Sequence, residues 1–295
     1  MTHLARLFGA VSLALLLAAA PGCGKKSEDG EETKTTKRKD VAPAAASAAR
    51  AELNAPLEGV ILGRVVLNGE IPAMPLIEKM ATHNDHAQCL AGEEFEKIDQ
   101  KWIISKDKGV ANVVIFLRPP QGKYFSVNEE DKNRTDKVVI KQPHCAYVPH
   151  VAAAFPSYFD GKGQKRTGQT FAVENTAAFN HNTSWKGDPL KTGNGNRNLK
   201  AGEELTIELQ PESSPIALAC DVHPWMNAKV WAFDHPYFAV TKMDGSFEIK
   251  NVPTGVEVGL VAWHEAPGYF HGGKEGTKMR FNKGDNPVDL KIKAN

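Results

Sequence analysis

An all-β body behind an N-terminal leader is predicted by three observations. Segments rich in Val, Ile, Phe and Thr recur after residue 57, many alternating apolar with polar, and Gly, Pro, Asn and Asp separate them. No segment in that region carries a sustained apolar repeat at helical spacing. A length of 295 residues predicts about two domains, and with 41% hydrophobic residues there is enough apolar material for a sizeable core. Lys plus Arg number 36 against 35 Asp plus Glu, a balance that excludes nucleic-acid capture by a basic domain and repulsion-driven disorder of the whole chain. The long apolar run is N-terminal, so no helical membrane body is expected.

The leader comes first. Arg6 gives a positive start, residues 7–20 an apolar run of mainly Leu and Ala, and Pro21-Gly22-Cys23 a small-residue exit. This is the order of an export signal over residues 1–22. Its removal takes away Arg6, so the formal charge of +1 becomes 0. Cys23 resembles the lipidated Cys of a bacterial lipoprotein box, with Pro21 and Ala20 where such boxes usually carry Ala or Ser and Leu. The resemblance implies an exported protein held on the periplasmic side of a membrane by a lipid on Cys23. Residues 23–56, without an aromatic side chain, cannot bury enough apolar area to offset ordering entropy and are expected to be a disordered tether.

The strands follow in order: GVILGRVVLNG, VANVVIFL, DKVVIKQ, GQTFAVEN, EELTIELQ, SPIALA, AKVWAF, GSFEIKNV and EVGLVAW. Residues 183–198 (TSWKGDPLKTGNGNRN) carry so many turn formers that a surface loop is expected.

Chemistry is concentrated in the cysteines. With Cys23 set aside, Cys89, Cys145 and Cys220 remain, and two of three can pair. Cys220 opens Cys220-Asp221-Val222-His223-Pro224-Trp225-Met226, a C-x2-H-x2-M string between two predicted strands. Thiolate, imidazole and thioether thus project from one short loop. A soft thiolate, imidazoles and a weak axial Met suit copper, whereas a thioether is not a usual zinc ligand. A second imidazole stands upstream in Phe179-Asn180-His181-Asn182, again just after a strand. Taken singly, a buried Cys or Met is ordinary core packing.

These paired motifs resemble the cupredoxin family, and the short ligand loop is most similar to amicyanin. The likeness covers residues 136–233 and includes Cys145-Ala146-Tyr147-Val148-Pro149-His150-Val151 and the strand GQTFAV. It implies a Greek-key β-sandwich with one type 1 copper ion held by His181, Cys220, His223 and Met226. Asn182 matches the residue whose hydrogen bonds tie the two ligand loops. In the family the second His emerges through an apolar surface patch, which implies that role for His223, with Trp225 as a docking or shielding residue.

Cys89 and Cys145 are expected to form a disulfide in an oxidising compartment; the alternative is a second metal site built on HNDHAQC with His144 and Cys145. No C-x-x-C-H string signals covalent haem, and no C-x3-C pair signals dinuclear copper. Residues 57–72, 108–119 and 241–263 resemble a transthyretin-like, carboxypeptidase-regulatory-type sandwich. That implies a discontinuous second β-sandwich over 57–119 and 236–295, with the cupredoxin inserted; the simpler alternative is one extended sandwich. Trp263-His264-Glu265 can be read as a site or as a packed Trp beside a hydrogen-bonded His.

The expected function is single-electron transfer between redox protein partners, with the membrane met only through the lipid. The alternative is periplasmic copper sequestration or delivery, against which six scattered Met residues speak weakly. A third is an adhesion module that keeps the ligand residues as packing. An enzyme is not expected, because the remaining His residues are scattered and no G-x-S-x-G string occurs.

Overall fold

The computed structural model describes residues 50–294. The expected signal peptide, Cys23 and the tether up to residue 49 lie outside the described residues. Within them the protein is all-β, with helical pieces of three to five residues, and no helix is long and apolar enough to cross a membrane.

One core lies between a five-stranded and a three-stranded sheet. The larger runs in the order Asn194–Leu199, His181–Lys186, Ile216–Ala219, Asn227–Ala232, Val151–Ala154; the smaller runs Glu204–Thr206, Thr170–Glu174, Lys137–Lys141. Ile140, Phe171, Val173 and Leu205 from the smaller sheet pack with Leu199, Ile216, Leu218 and Val230 from the larger. A second core lies between the sheet Phe238–Val240, Val114–Arg118, Glu257–His264, Gly268–His271 and the sheet Ser246–Pro253, Leu57–Leu67, Gly284–Pro287. Ile61, Val65, Ile115, Leu117, Phe247, Ile249 and Leu260 fill it.

The period-2 alternation of strand side chains explains the continuous apolar runs VVIFL and VGLVAW. Ile115 and Leu117 face the second core, while Val114 and Phe116 face the other way; Leu260 and Ala262 alternate likewise with Val261 and Trp263. The outward set meets Val151, Trp231 and Phe233 in a third apolar cluster. Both faces of these two strands are therefore buried. At the margin of this junction Glu265 contacts His150 and Lys229, through Nε2 at 2.6 Å and Nζ at 3.0 Å. His264 is buried with its ring 4.2 Å from that of Trp102, so Trp263-His264-Glu265 is a joint between sheets.

Two expectations are corrected. The tether ends before residue 56: Ala51–Leu53 pairs in parallel with Lys123–Phe125, because Leu53 finds a place in the second core. Residues 183–198 are a hairpin rather than a loop. His181–Lys186 pairs antiparallel with Asn194–Leu199, and the turn formers Gly187, Asp188 and Gly193 close it. Gly195 serves packing, since a Cβ there would lie 2.1 Å from the Trp185 ring.

Candidate metal centre

Strand pairing brings the two motifs together. Ser184 lies opposite Ala219, so His181 at the start of one strand and Cys220 just past the end of the next share one end of the sheet. Ala219 lies opposite Asn227, and residues 220–226 form the connecting loop. Two backbone bonds close it: the Cys220 N–H donates to the Met226 carbonyl at 3.2 Å, and the Met226 N–H to the His223 carbonyl at 2.8 Å. His181, Cys220, His223 and Met226 are all buried. Cys220 Sγ lies 3.9 Å from His181 Nδ1 and 3.9 Å from His223 Nδ1.

Cys220 Sγ and the His181 and His223 ring nitrogens, all within 4.8 Å of one another, are spaced to meet on one ion. Ligand bonds of about 2.3 Å to sulfur and 2.0 Å to nitrogen, spread at trigonal angles, separate the donors by about 3.7 Å. Among the described residues Cys220 is free, so its sulfur is open to a metal. Burial pulls the His181 imidazole down to about 4, helped by the neighbouring His223 and opposed by the His144 backbone and Asp85. Burial also lowers His223, with the Asp85 hydrogen bond opposing. Both rings are therefore neutral at neutral pH, as a metal ligand must be.

Asn182 binds the two segments. Its Oδ1 accepts from the Asp221 N–H at 2.6 Å and lies 3.2 Å from Cys220 Sγ, while its Nδ2 donates to Asp221 at 3.0 Å and Asn196 at 2.9 Å. Sequence reasoning gave no role to Tyr147, whose hydroxyl donates to the Ala219 carbonyl at 2.9 Å, one residue before the sulfur. Burial raises that phenol well above its ordinary value, so it stays a donor.

The expected exposed edge of His223 is absent. Its side chain is 0% exposed, because the His83-Asn84-Asp85-His86 segment lies over it. Asp85 Oδ2 is 3.1 Å from His223 Nε2, and the His83 and His223 ring centroids are 4.8 Å apart. The Cys89–Cys145 disulfide is present and ties this cap beside the ligand loop. With Cys89 so bonded, a thiolate site on HNDHAQC is ruled out, although His83, Cys89 and His223 do cluster. Trp225 is half-buried, its Nε1–H donating to the Cys145 carbonyl at 3.1 Å and its ring edge-on to His83 at 5.3 Å.

No protein-family model and no curated protein matches the chain. Among solved structures it is similar to the purple cupredoxin of Nitrosopumilus maritimus, with 15% identity, a TM-score of 0.24, and coverage of 33% of this chain and 98% of that one. Amicyanin of Paracoccus versutus gives 17% identity and a TM-score of 0.25 over 36% of this chain and 95% of that one. The copper-containing nitrite reductase of Thermus scotoductus gives 15% and 0.26 over 33% of this chain, and only 22% of the reductase is spanned.

Proposed function

We propose that this is an exported type 1 copper protein that carries single electrons between redox protein partners, held near a membrane by a lipid on Cys23. The observation that supports the reading most is the buried Cys220 thiol, free among the described residues, with two imidazole Nδ1 atoms each 3.9 Å away. Cys220, His181 and His223 would hold the ion, with Met226 from the same loop as the weak fourth donor. Copper bound there would supply the Cu(I)/Cu(II) couple.

Everything else falls to the chain's own residues. Transfer is fast when ligands hardly move between oxidation states, and here two paired strands, the backbone bonds within the loop and Asn182 restrain them. Burial of all four side chains excludes water from the sulfur. One observation favours copper holding without electron transfer: the cap covers the His223 edge through which the family exchanges electrons.

The test is the optical and spin-resonance spectrum of the purified protein with added copper, followed by voltammetry. The expected result is an intense thiolate-to-copper band and a reversible one-electron wave, both lost in Cys220→Ala. Copper binding with sluggish redox, and release to a chelating acceptor, would replace the carrier with the handling reading. A wild-type protein that takes up no copper would sink both.

A further inference from the structure

The cap is built into the fold at three places. Met80 is buried in the same core as the ligand residues Cys220 and Met226. Cys89 is bonded to Cys145, whose carbonyl receives the Trp225 indole. Glu96 is buried, accepts from the Glu93 N–H at 3.0 Å, and lies 3.1 Å from His144 Nδ1. Between Met80 and Cys89 the chain turns so that the Asp85 N–H donates to His83 Nδ1 at 3.2 Å, while the Asp85 carboxylate reaches His223 Nε2 at 3.1 Å.

That last contact fixes a proton. A carboxylate oxygen can only accept, so Nε2 of His223 carries the hydrogen and Nδ1 presents its lone pair toward the sulfur. The rings of His83 and Trp225, with centroids 4.8 and 5.4 Å away, wall the imidazole on its open sides. Carboxylates behind metal-bound imidazoles orient the ring and raise its basicity, which favours the more highly charged oxidation state.

We propose that Asp85 is a positioning residue of the centre: from a separate, disulfide-anchored segment, it sets the tautomer and orientation of His223 and thereby raises the affinity for Cu(II) over Cu(I). This rests on the copper reading above. It also gives the cap a purpose other than concealment, because the same turn that hides the ring aims it.

The test compares the wild type with Asp85→Ala and Asp85→Asn. In the metal-free protein, long-range nitrogen–proton NMR reads the His223 tautomer. The wild type and Asp85→Asn, whose amide oxygen still accepts, should show hydrogen on Nε2; Asp85→Ala should show a mixture. Chelator competition should find Cu(II) affinity 10- to 100-fold lower in Asp85→Ala and mostly recovered in Asp85→Asn. Each tenfold loss of Cu(II) relative to Cu(I) affinity raises the reduction potential by about 59 mV. Wild-type tautomer and affinity in Asp85→Ala would overturn the proposal, leaving Asp85 a mere lid. No copper uptake by the wild type would overturn the copper reading instead, and the metal-free tautomer would still decide the hold of Asp85 on the ring.

Discussion

Replacing Glu265 with Gln should loosen the joint between the two cored parts in a way that depends on pH. The carboxylate lies 2.6 Å from His150 Nε2 and 3.0 Å from Lys229 Nζ, and its side chain is 12% exposed. Burial alone would raise its pKa, yet the His150 and Lys229 interactions outweigh burial and bring it from 4.5 down to about 2. At about 1.36 kcal/mol for each pH unit, that fall sets a ceiling of about 3 kcal/mol. Residual solvent screening reduces it to about 2 kcal/mol. The sign follows from a depressed carboxyl: the contribution is fully present above pH 4.5 and is lost as pH falls from there to about 2. Denaturant unfolding of wild type and Glu265→Gln at several pH values gives the difference directly, since titrations common to both cancel. The gap should be about 2 kcal/mol near pH 6 and close to nothing at pH 2. A gap that stays constant over this range, or is absent throughout, would refute the ion-pair account.

Two further perturbations address the cap and the turns. The Cys89–Cys145 bond spans 56 residues, so Cys89→Ser with Cys145→Ser should cost about 4 kcal/mol on the chain-entropy relation; a loss below about 1 kcal/mol in denaturant unfolding would mean that the cap is held by its packing instead. Gly245 has φ +81° and its missing Cβ would lie 2.4 Å from the Val65 carbonyl, whereas Gly202, at φ +79°, faces open space. Gly245→Ala should therefore cost clearly more than the roughly 1 kcal/mol of backbone strain expected for Gly202→Ala, and equal losses in thermal melts would contradict the crowding.

What the sequence disclosed depended on distance along the chain. Cys220, His223 and Met226 fall within seven residues of one another, so their convergence needed only a tight loop between strands, and the short Val-, Ile- and Phe-rich runs around Ile115, Phe171 and Leu260, bounded by turn formers, marked strands that are indeed present. Residues 183–198 misled because Gly195 and its polar neighbours look like turn formers, while the requirement of Trp185 for a neighbour without a side chain is invisible until the strands are paired. The short strands Gly268–His271, Thr277–Arg280 and Gly284–Pro287 carry too few residues for any periodicity to register. The cap over His223 was out of reach altogether. Asp85 precedes its imidazole partner by 138 residues, and a turn of His, Asn and Asp reads as solvent-facing unless its disulfide anchor is placed. Glu265 and His150, 115 residues apart, met for the same reason only in three dimensions.

The apolar seam of Val114, Phe116, Val261 and Trp263 against Val151, Trp231 and Phe233 has a consequence for how the protein divides. Cutting out the half that carries His181 and Cys220 would strip one wall from that seam and lay bare the Trp231 and Phe233 rings, a sticky face rather than a finished surface. The remaining half would fare no better, since its middle strands were shaped for company on both sides. Each portion therefore needs the other to cover its seam face, and neither is a detachable module.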